Sequence, residues 1–161
     1  MSTHGAALAE ALAEALAQLL PMLERFEGLR LRPYLCPAGV PTIGLGSTRY
    51  LDGRPVRLTD PPITADHARV LAREQVLREY LPAVLQLCPG IDSPARLAAL
   101  TDFTYNLGSG ALRASTLRRR VNAGQWDLVP AELARWVRGG GRVLPGLVLR
   151  RAAEAALVTA R

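Results

Sequence analysis

Glu27-Gly-Leu-Arg-Leu-Arg-Pro-Tyr-Leu-Cys36-Pro-Ala-Gly-Val-Pro-Thr42-Ile-Gly-Leu-Gly46 is the stretch on which the reading of this chain turns. Before it the pattern is helical; after it Pro and Gly punctuate short β-branched or aromatic pieces as far as Pro62. Pro41-Thr-Ile-Gly-Leu-Gly46 carries a period of two, and Pro37-Ala-Gly39 supplies turn residues. Residues from about 29 to 62 therefore predict a small β-hairpin lobe rather than a long sheet. An acid ends the preceding helix, and a thiol and a hydroxyl follow nine and fifteen residues later. A carboxyl partly shielded from water can stay protonated and act as a general acid. The turn would bring Cys36 and Thr42 onto one wall, with Glu27 facing them across a groove. Spacing alone leaves the plainer alternative open: a helix-terminal Glu, a buried Cys and a strand Thr.

Working outward to the N-terminus, residues 6–27 read as a helix with a break or kink at Pro21. Leu8, Leu12, Leu16, Leu19 and Leu23 recur on one stripe, with Glu10 and Glu14 off it. This is an amphipathic helix seeking a partner surface. Gly5 to Leu23 is rich in Ala and Leu, yet Glu10, Glu14 and Gln18 interrupt it and no Lys or Arg precedes it. A signal peptide or stable membrane span is not expected, and a weak export-competent anchor is the lesser alternative. The expected organisation is an extension at 1–21 and a main domain at 22–161, the latter divided into a β lobe (about 29–62) and a helical lobe (about 63–161).

Toward the C-terminus, Thr64 can cap a helix running through Tyr80, with Leu71, Val76, Leu77 and Leu81 on its buried stripe. Pro82 and Cys88-Pro-Gly90 are read as breaks. Ser93-Pro94 is an N-cap followed by proline at the first helical position. That helix carries Leu97, Leu100, Phe103, Thr104 and Leu107, and Gly108 ends it. Ser115 opens a short helix to Asn122-Ala-Gly124, and another runs from about Asp127 to Val137, where Gly139-Gly-Gly141 stops it. Pro145 to Ala160 forms the last. The class is α+β, predominantly α.

Composition agrees. The 161 residues suit one domain, and 49% apolar with 21% charged residues excludes wholesale disorder. Aromatics are only 5%, which with the Ala and Leu content favours helices over sandwiches. The net charge of +6 is uneven: residues 1–100 hold ten Arg against ten acids, whereas 101–161 hold ten Arg against four. The C-terminal part should attract an anionic partner, such as a nucleic acid, a membrane or a carboxylate-bearing wall polymer. Base-reading and stacking motifs are missing, so nucleic acid is not the expected partner. Arg118-Arg119-Arg120 cannot share one helical face and reads as solvated charge. Two cysteines, Cys36 and Cys88, are too few for a disulfide scaffold, and no Cys/His spacing suggests a metal. No cofactor is implied.

The quoted stretch resembles the active-site signature of phage-type lysozymes, the endolysins of glycoside hydrolase family 24, in a Glu–Cys–Thr form. Ala99-Leu-Thr-Asp-Phe-Thr-Tyr-Asn-Leu-Gly108 is similar to the family's helix beside its cleft. Ser115-Thr-Leu117, Trp136 and Leu144-Pro-Gly-Leu-Val-Leu-Arg-Arg-Ala-Ala-Glu154 match its later signatures, so the likeness spans roughly residues 22–158. The resemblance implies a lysozyme-like fold with a cleft between two lobes. It also implies a muramidase that cuts the β-1,4 bond between N-acetylmuramic acid and N-acetylglucosamine and lyses the host cell. Glu27 would be the general acid and Thr42 would hold the attacking water. Cys36 stands where many members carry aspartate and would activate that water, attack the sugar itself or serve only structurally. Tyr105 and Asn106 would contact sugar, and Arg150 (or Arg151) would pair with Glu27. Ser47 replaces a largely structural histidine. With no export signal recognised, the expectation is a monomer that waits in the host cytoplasm until a membrane pore admits it to the wall. A disabled glycan binder and a basic nucleic-acid-binding protein are the alternative functions.

Overall fold

In the computed structural model, residues 3–160 are described, with side chains from residue 5 onward. Two compact units form: Leu20–Glu79, and the residues up to Leu19 together with those from Tyr80 on.

Helix α1 (Thr3–Glu27) contains Pro21 without breaking. The hydrogen bond lost to proline is offset by burial on both sides of it, Leu19 at 1% and Leu23 at 0% exposure. The leucine stripe is covered only in part: Leu16 is buried, whereas Leu8 is exposed. The Gly5–Glu27 segment is long and apolar enough, by length and composition, to cross a membrane. Gly28 (φ +76°) ends α1, its N–H bonding the Glu24 carbonyl, a left-handed cap that favours glycine.

In the small unit, β1 (Arg30–Leu35) and β2 (Pro41–Gly44) pair antiparallel, with Arg30 opposite Gly44, Tyr34 opposite Thr42 and Leu35 opposite Pro41. The register shifts between Arg30 and Tyr34. Helix α2 (Ala65–Gln75) is capped by Thr64, whose side chain accepts from the His67 N–H. It packs on β2 so closely that a Cβ at Gly44 would lie 3.1 Å from the Ala68 Cβ. Ile43, Val56 and Leu71 form a core with Tyr50 and Ile63 against it. This unit therefore takes in α2, which the sequence reading assigned to the helical lobe, because Ala68 and Leu71 are the apolar cover for the hairpin.

The helical unit begins in the π turn Val76–Tyr80, where Pro82 opens α3 (Leu81–Leu87) instead of breaking the path. Proline near a helix start gives up an N–H that has no partner there. Helix α4 (Pro94–Leu107) starts as expected, with the Ser93 hydroxyl accepting from the Arg96 N–H, and packs along α8 (Pro145–Thr159). Between them lie α5 (Ser109–Ala114), α6 (Thr116–Asn122), a 3₁₀ turn (Trp126–Leu128) and α7 (Val129–Leu133). The helix expected over 127–137 is thus shorter, reset by Pro130. The glycine run is more than a stop. Gly140 (φ +57°) and Gly141 (φ +78°) turn β3 (Arg138–Gly139) back onto β4 (Arg142–Val143).

The arginine run corrects another expectation. Arg118 donates to the Leu87 and Arg113 carbonyls, and Asn122 also donates to Leu87, so together they cap the end of α3. Arg119 bonds Thr116, and Arg120 bonds Gln125. The run is tethered structure, with only Arg119 on the exposed face.

Candidate active site

The hairpin end is built by its backbone. Cys36 N–H donates to the Val40 carbonyl and Gly39 N–H to that of Cys36, at 3.0 and 2.8 Å, closing the turn after β1. Antiparallel pairing sets the Tyr34 and Thr42 side chains on one face, and Cys36 follows two residues on from Tyr34. Thr42 is buried and donates to the Val40 carbonyl at 2.8 Å. Its hydroxyl is also within reach of the Cys36 sulfur, so its one proton goes either to Val40 or to a thiolate there.

The Cys36 thiol is half-buried and pulled below its ordinary value. The main cause is the Val40 backbone N–H, joined by that of Ala38 and the Thr42 hydroxyl, all of which favour the thiolate. Tyr34 carries the Arg30 guanidinium 4.3 Å from its ring centroid. Burial pushes its phenol up, and the charges of Glu27 and Cys36 push the same way. Glu27, Cys36 and Thr42 therefore share the small unit, and both Glu27 and Cys36 lie close enough to act on Tyr34. Sequence reasoning quoted Tyr34 but gave it no part; its register opposite Thr42 was the available signal.

Tyr105, Asn106 and Arg150 fall in the helical unit. Tyr105 packs on Tyr80 with centroids 4.9 Å apart. Arg150 donates to both carboxylate oxygens of Asp102, at 2.8 and 3.0 Å, with both side chains buried. Arg151 donates to Asn106 at 2.8 Å and lies 2.8 Å from a Glu154 oxygen. Burial drives the Glu154 carboxyl up to about 10, helped by the neighbouring Asp102 carboxylate. The sequence reading passed over Asp102 and Glu154 as members of this cluster. Their signal was an acid inside the apolar face of α4, and an acid three residues after Arg151. Trp136 is half-buried and meets Phe103 edge-on at 5.4 Å.

Among the described residues no cluster of three His, Cys, Asp or Glu side chains could hold a metal. A cavity of about 540 Å³ in the small unit is lined by Tyr50, Arg54, Pro61 and His67, and includes none of Glu27, Cys36 and Thr42.

The sequence pattern of the phage lysozyme family matches residues 24–154, which take in the hairpin and the Asp102–Arg150 pair. The chain belongs to the phage lysozyme family. It is 33% identical over 142 residues to the endolysin of Acyrthosiphon pisum secondary endosymbiont phage 1, covering 86% of this chain and 92% of that one. It is 30% identical over 148 residues to the SAR-endolysin of Escherichia phage P1, covering 84% and 76%. Among solved structures, the endolysin from Escherichia coli O157:H7 phage FAHEc1 superposes with a TM-score of 0.78 at 32% identity, covering 88% and 90%. The fold is that of a phage lysozyme, and the chain is a lysozyme hydrolase of the peptidoglycan-degrading endolysin class.

Proposed function

We propose that this lysozyme is a muramidase that hydrolyses the β-1,4 bond between N-acetylmuramic acid and N-acetylglucosamine. Glu27 serves as general acid, and Cys36 and Thr42 hold and activate the attacking water. The observation that carries this reading is the backbone cradle of Cys36. Amide N–H groups and the Thr42 hydroxyl converge on its sulfur, in the same unit as Glu27. Glu27 gives its proton to the glycosidic oxygen as that bond breaks. Water attacks the opposite face of the sugar and yields its proton to the Cys36 thiolate, which inverts the anomeric centre. Thr42 is buried, its hydroxyl held between the Val40 carbonyl and the Cys36 sulfur. Asn106 and Tyr105 contact the glycan, and Arg150 acts through its neighbours.

We place the monomeric enzyme in the host cytoplasm until a membrane lesion admits it to the wall, where it lyses the cell. The apolar Gly5–Glu27 segment favours a second reading of the waiting stage, in which α1 rests in the membrane. Carbonate extraction of expressing cells separates the two: recovery in the membrane pellet selects the second.

The activity test is loss of turbidity of outer-membrane-permeabilised Gram-negative cells, followed by borohydride reduction of the products. The wild type clears the cells and produces new reducing ends on muramic acid. Glu27→Gln loses at least about a thousandfold, and Cys36→Ser about a hundredfold, the scale of a lost general acid or base. Reducing ends on glucosamine, or full activity of Glu27→Gln, would sink the assignment.

A further inference from the structure

We propose that Arg151 is a positioning residue for glycan recognition: it fixes the Asn106 side-chain amide so that Nδ2 is offered to an acceptor on an N-acetylated sugar. This rests on the reading above that the chain cleaves peptidoglycan with Asn106 in contact with it.

Arg151 Nη2 lies 2.8 Å from Asn106 Oδ1. A guanidinium has donors and no acceptor, so only the oxygen end of the amide can face it. The nitrogen end is turned the other way. Asn106 occupies the last turn of α4 and is half-buried, and among the described residues Nδ2 makes no hydrogen bond to protein. An unrestrained Asn amide can present either end to a ligand, whereas this one presents only a donor. The complementary groups on an N-acetylhexosamine are its acetamido carbonyl, the stronger neutral acceptor, and its hydroxyl oxygens.

The support behind Asn106 costs too much to be simple packing. Arg151 is 2% exposed, and its Nε and Nη1 have no hydrogen-bond partner. A buried cation with unmet donors is less stable than an aliphatic side chain of the same volume. What holds it is the Phe103 ring, 5.1 Å from the guanidinium carbon, and Glu154, whose oxygen lies 2.8 Å from Nη2. The one partner of Arg151 in this set that is not fully buried is Asn106.

The test is the affinity of a chitin tetrasaccharide for the Glu27→Gln enzyme, with the Asn106 side-chain amide followed by ¹⁵N–¹H NMR. Asn106→Ala weakens binding about tenfold, as for one well-oriented hydrogen bond and its lost pre-organisation. Arg151→Met weakens it by the same factor, and the double variant is no weaker than either single. Glu154→Gln binds like its parent, because Gln keeps an oxygen beside Arg151 Nη2, whereas Glu154→Leu loses several-fold. In the parent the Asn106 amide signal moves on adding sugar; in Arg151→Met that shift disappears while shifts elsewhere remain. Should Arg151→Met not fold, Arg151→Gln decides, because Gln can face the amide with either end and binding falls about threefold. Additive losses in the double variant, or an Asn106→Ala that binds normally, overturn the inference. Cell clearing by the wild type tests the underlying reading separately: clearing together with additive losses removes only the role of Arg151.

Discussion

The small unit and the helical unit handle charge in opposite ways. Around Cys36 the polar work is done by backbone: amides of a four-residue turn and one pinned hydroxyl favour a thiolate that stays half-exposed. Around Asp102 it is done by side chains: two arginines and two acids lie at 4% exposure or less among α4 and α8. Backbone amides cost little to aim, since the turn orders them already. Buried ions cost several kcal/mol each to desolvate and hold only as a complete set. The hairpin should therefore tolerate loss of a side chain far better than the Asp102 cluster does.

The largest effect expected from this contrast is at Asp102. Replacing it by Ala leaves Arg150 buried without its bidentate partner, and unfolding free energy should fall by about 3–5 kcal/mol. Urea denaturation of the two proteins measures it. A loss below about 1 kcal/mol would show that the cluster admits water or relaxes, and the contrast would fail.

Next come the two thiols. Burial pushes Cys88 up to about 11, while the turn holds Cys36 below its ordinary value. Reaction follows the thiolate fraction, so iodoacetamide at pH 7.5 should modify Cys36 at least about a hundredfold faster than Cys88. Peptide mapping after timed quenching gives both rates. Thr42→Val should slow the Cys36 reaction severalfold by removing one donor, yet leave Cys88 unchanged.

The same division explains what was legible in the sequence. The hairpin could be read because its signals are local: Pro37-Ala-Gly39 makes the turn and Pro41–Gly46 alternates. Ser93-Pro94 and Gly108 marked α4 for the same reason, since caps are local chemistry. The Asp102 cluster could not be read, because it joins residues 48 apart in sequence and depends on α4 meeting α8. Pro82 was misread because proline breaks a helix interior but suits a helix start. That distinction depended on the π turn at Val76–Tyr80, which no residue pattern announced. Gly139–Gly141 was read as a terminator, whereas two left-handed glycines in succession are what a tight β turn requires. Glu27, Cys36 and Thr42 were singled out by resemblance, since spacing alone favours an ordinary Glu, Cys and Thr.

A third prediction concerns pH. Glu154 faces Asp102, Arg150 and Arg151, and its carboxyl is raised to about 10 from the usual carboxylate range. Between roughly pH 4.5 and 10 the folded protein retains a proton on this group that the unfolded chain gives up. Unfolding then releases a proton, so this group's contribution to stability declines as pH rises through that window. Glu154→Gln carries no proton to lose. Its melting temperature relative to wild type should therefore rise steadily from pH 5 to pH 9, as scanning calorimetry would show. A constant difference would mean that Glu154 is ionised in the fold and paired with Arg151.

The smallest effect belongs to Ser47, and it probes the hairpin side most directly. Its hydroxyl is buried with no hydrogen-bond partner, although its backbone exchanges two bonds with Ile43, at 2.9 and 3.0 Å. An unmet buried hydroxyl is a liability that removal relieves, and those backbone bonds do not need the side chain. Ser47→Ala should therefore be neutral or stabilising by up to about 1 kcal/mol in urea denaturation. At Asp102 the same kind of truncation is ruinous, because it strands a cation; at Ser47 it strands nothing. A Ser47→Ala variant destabilised by more than about 1 kcal/mol would reveal a partner for that hydroxyl, such as a trapped water. The hairpin would then depend on a side-chain network after all.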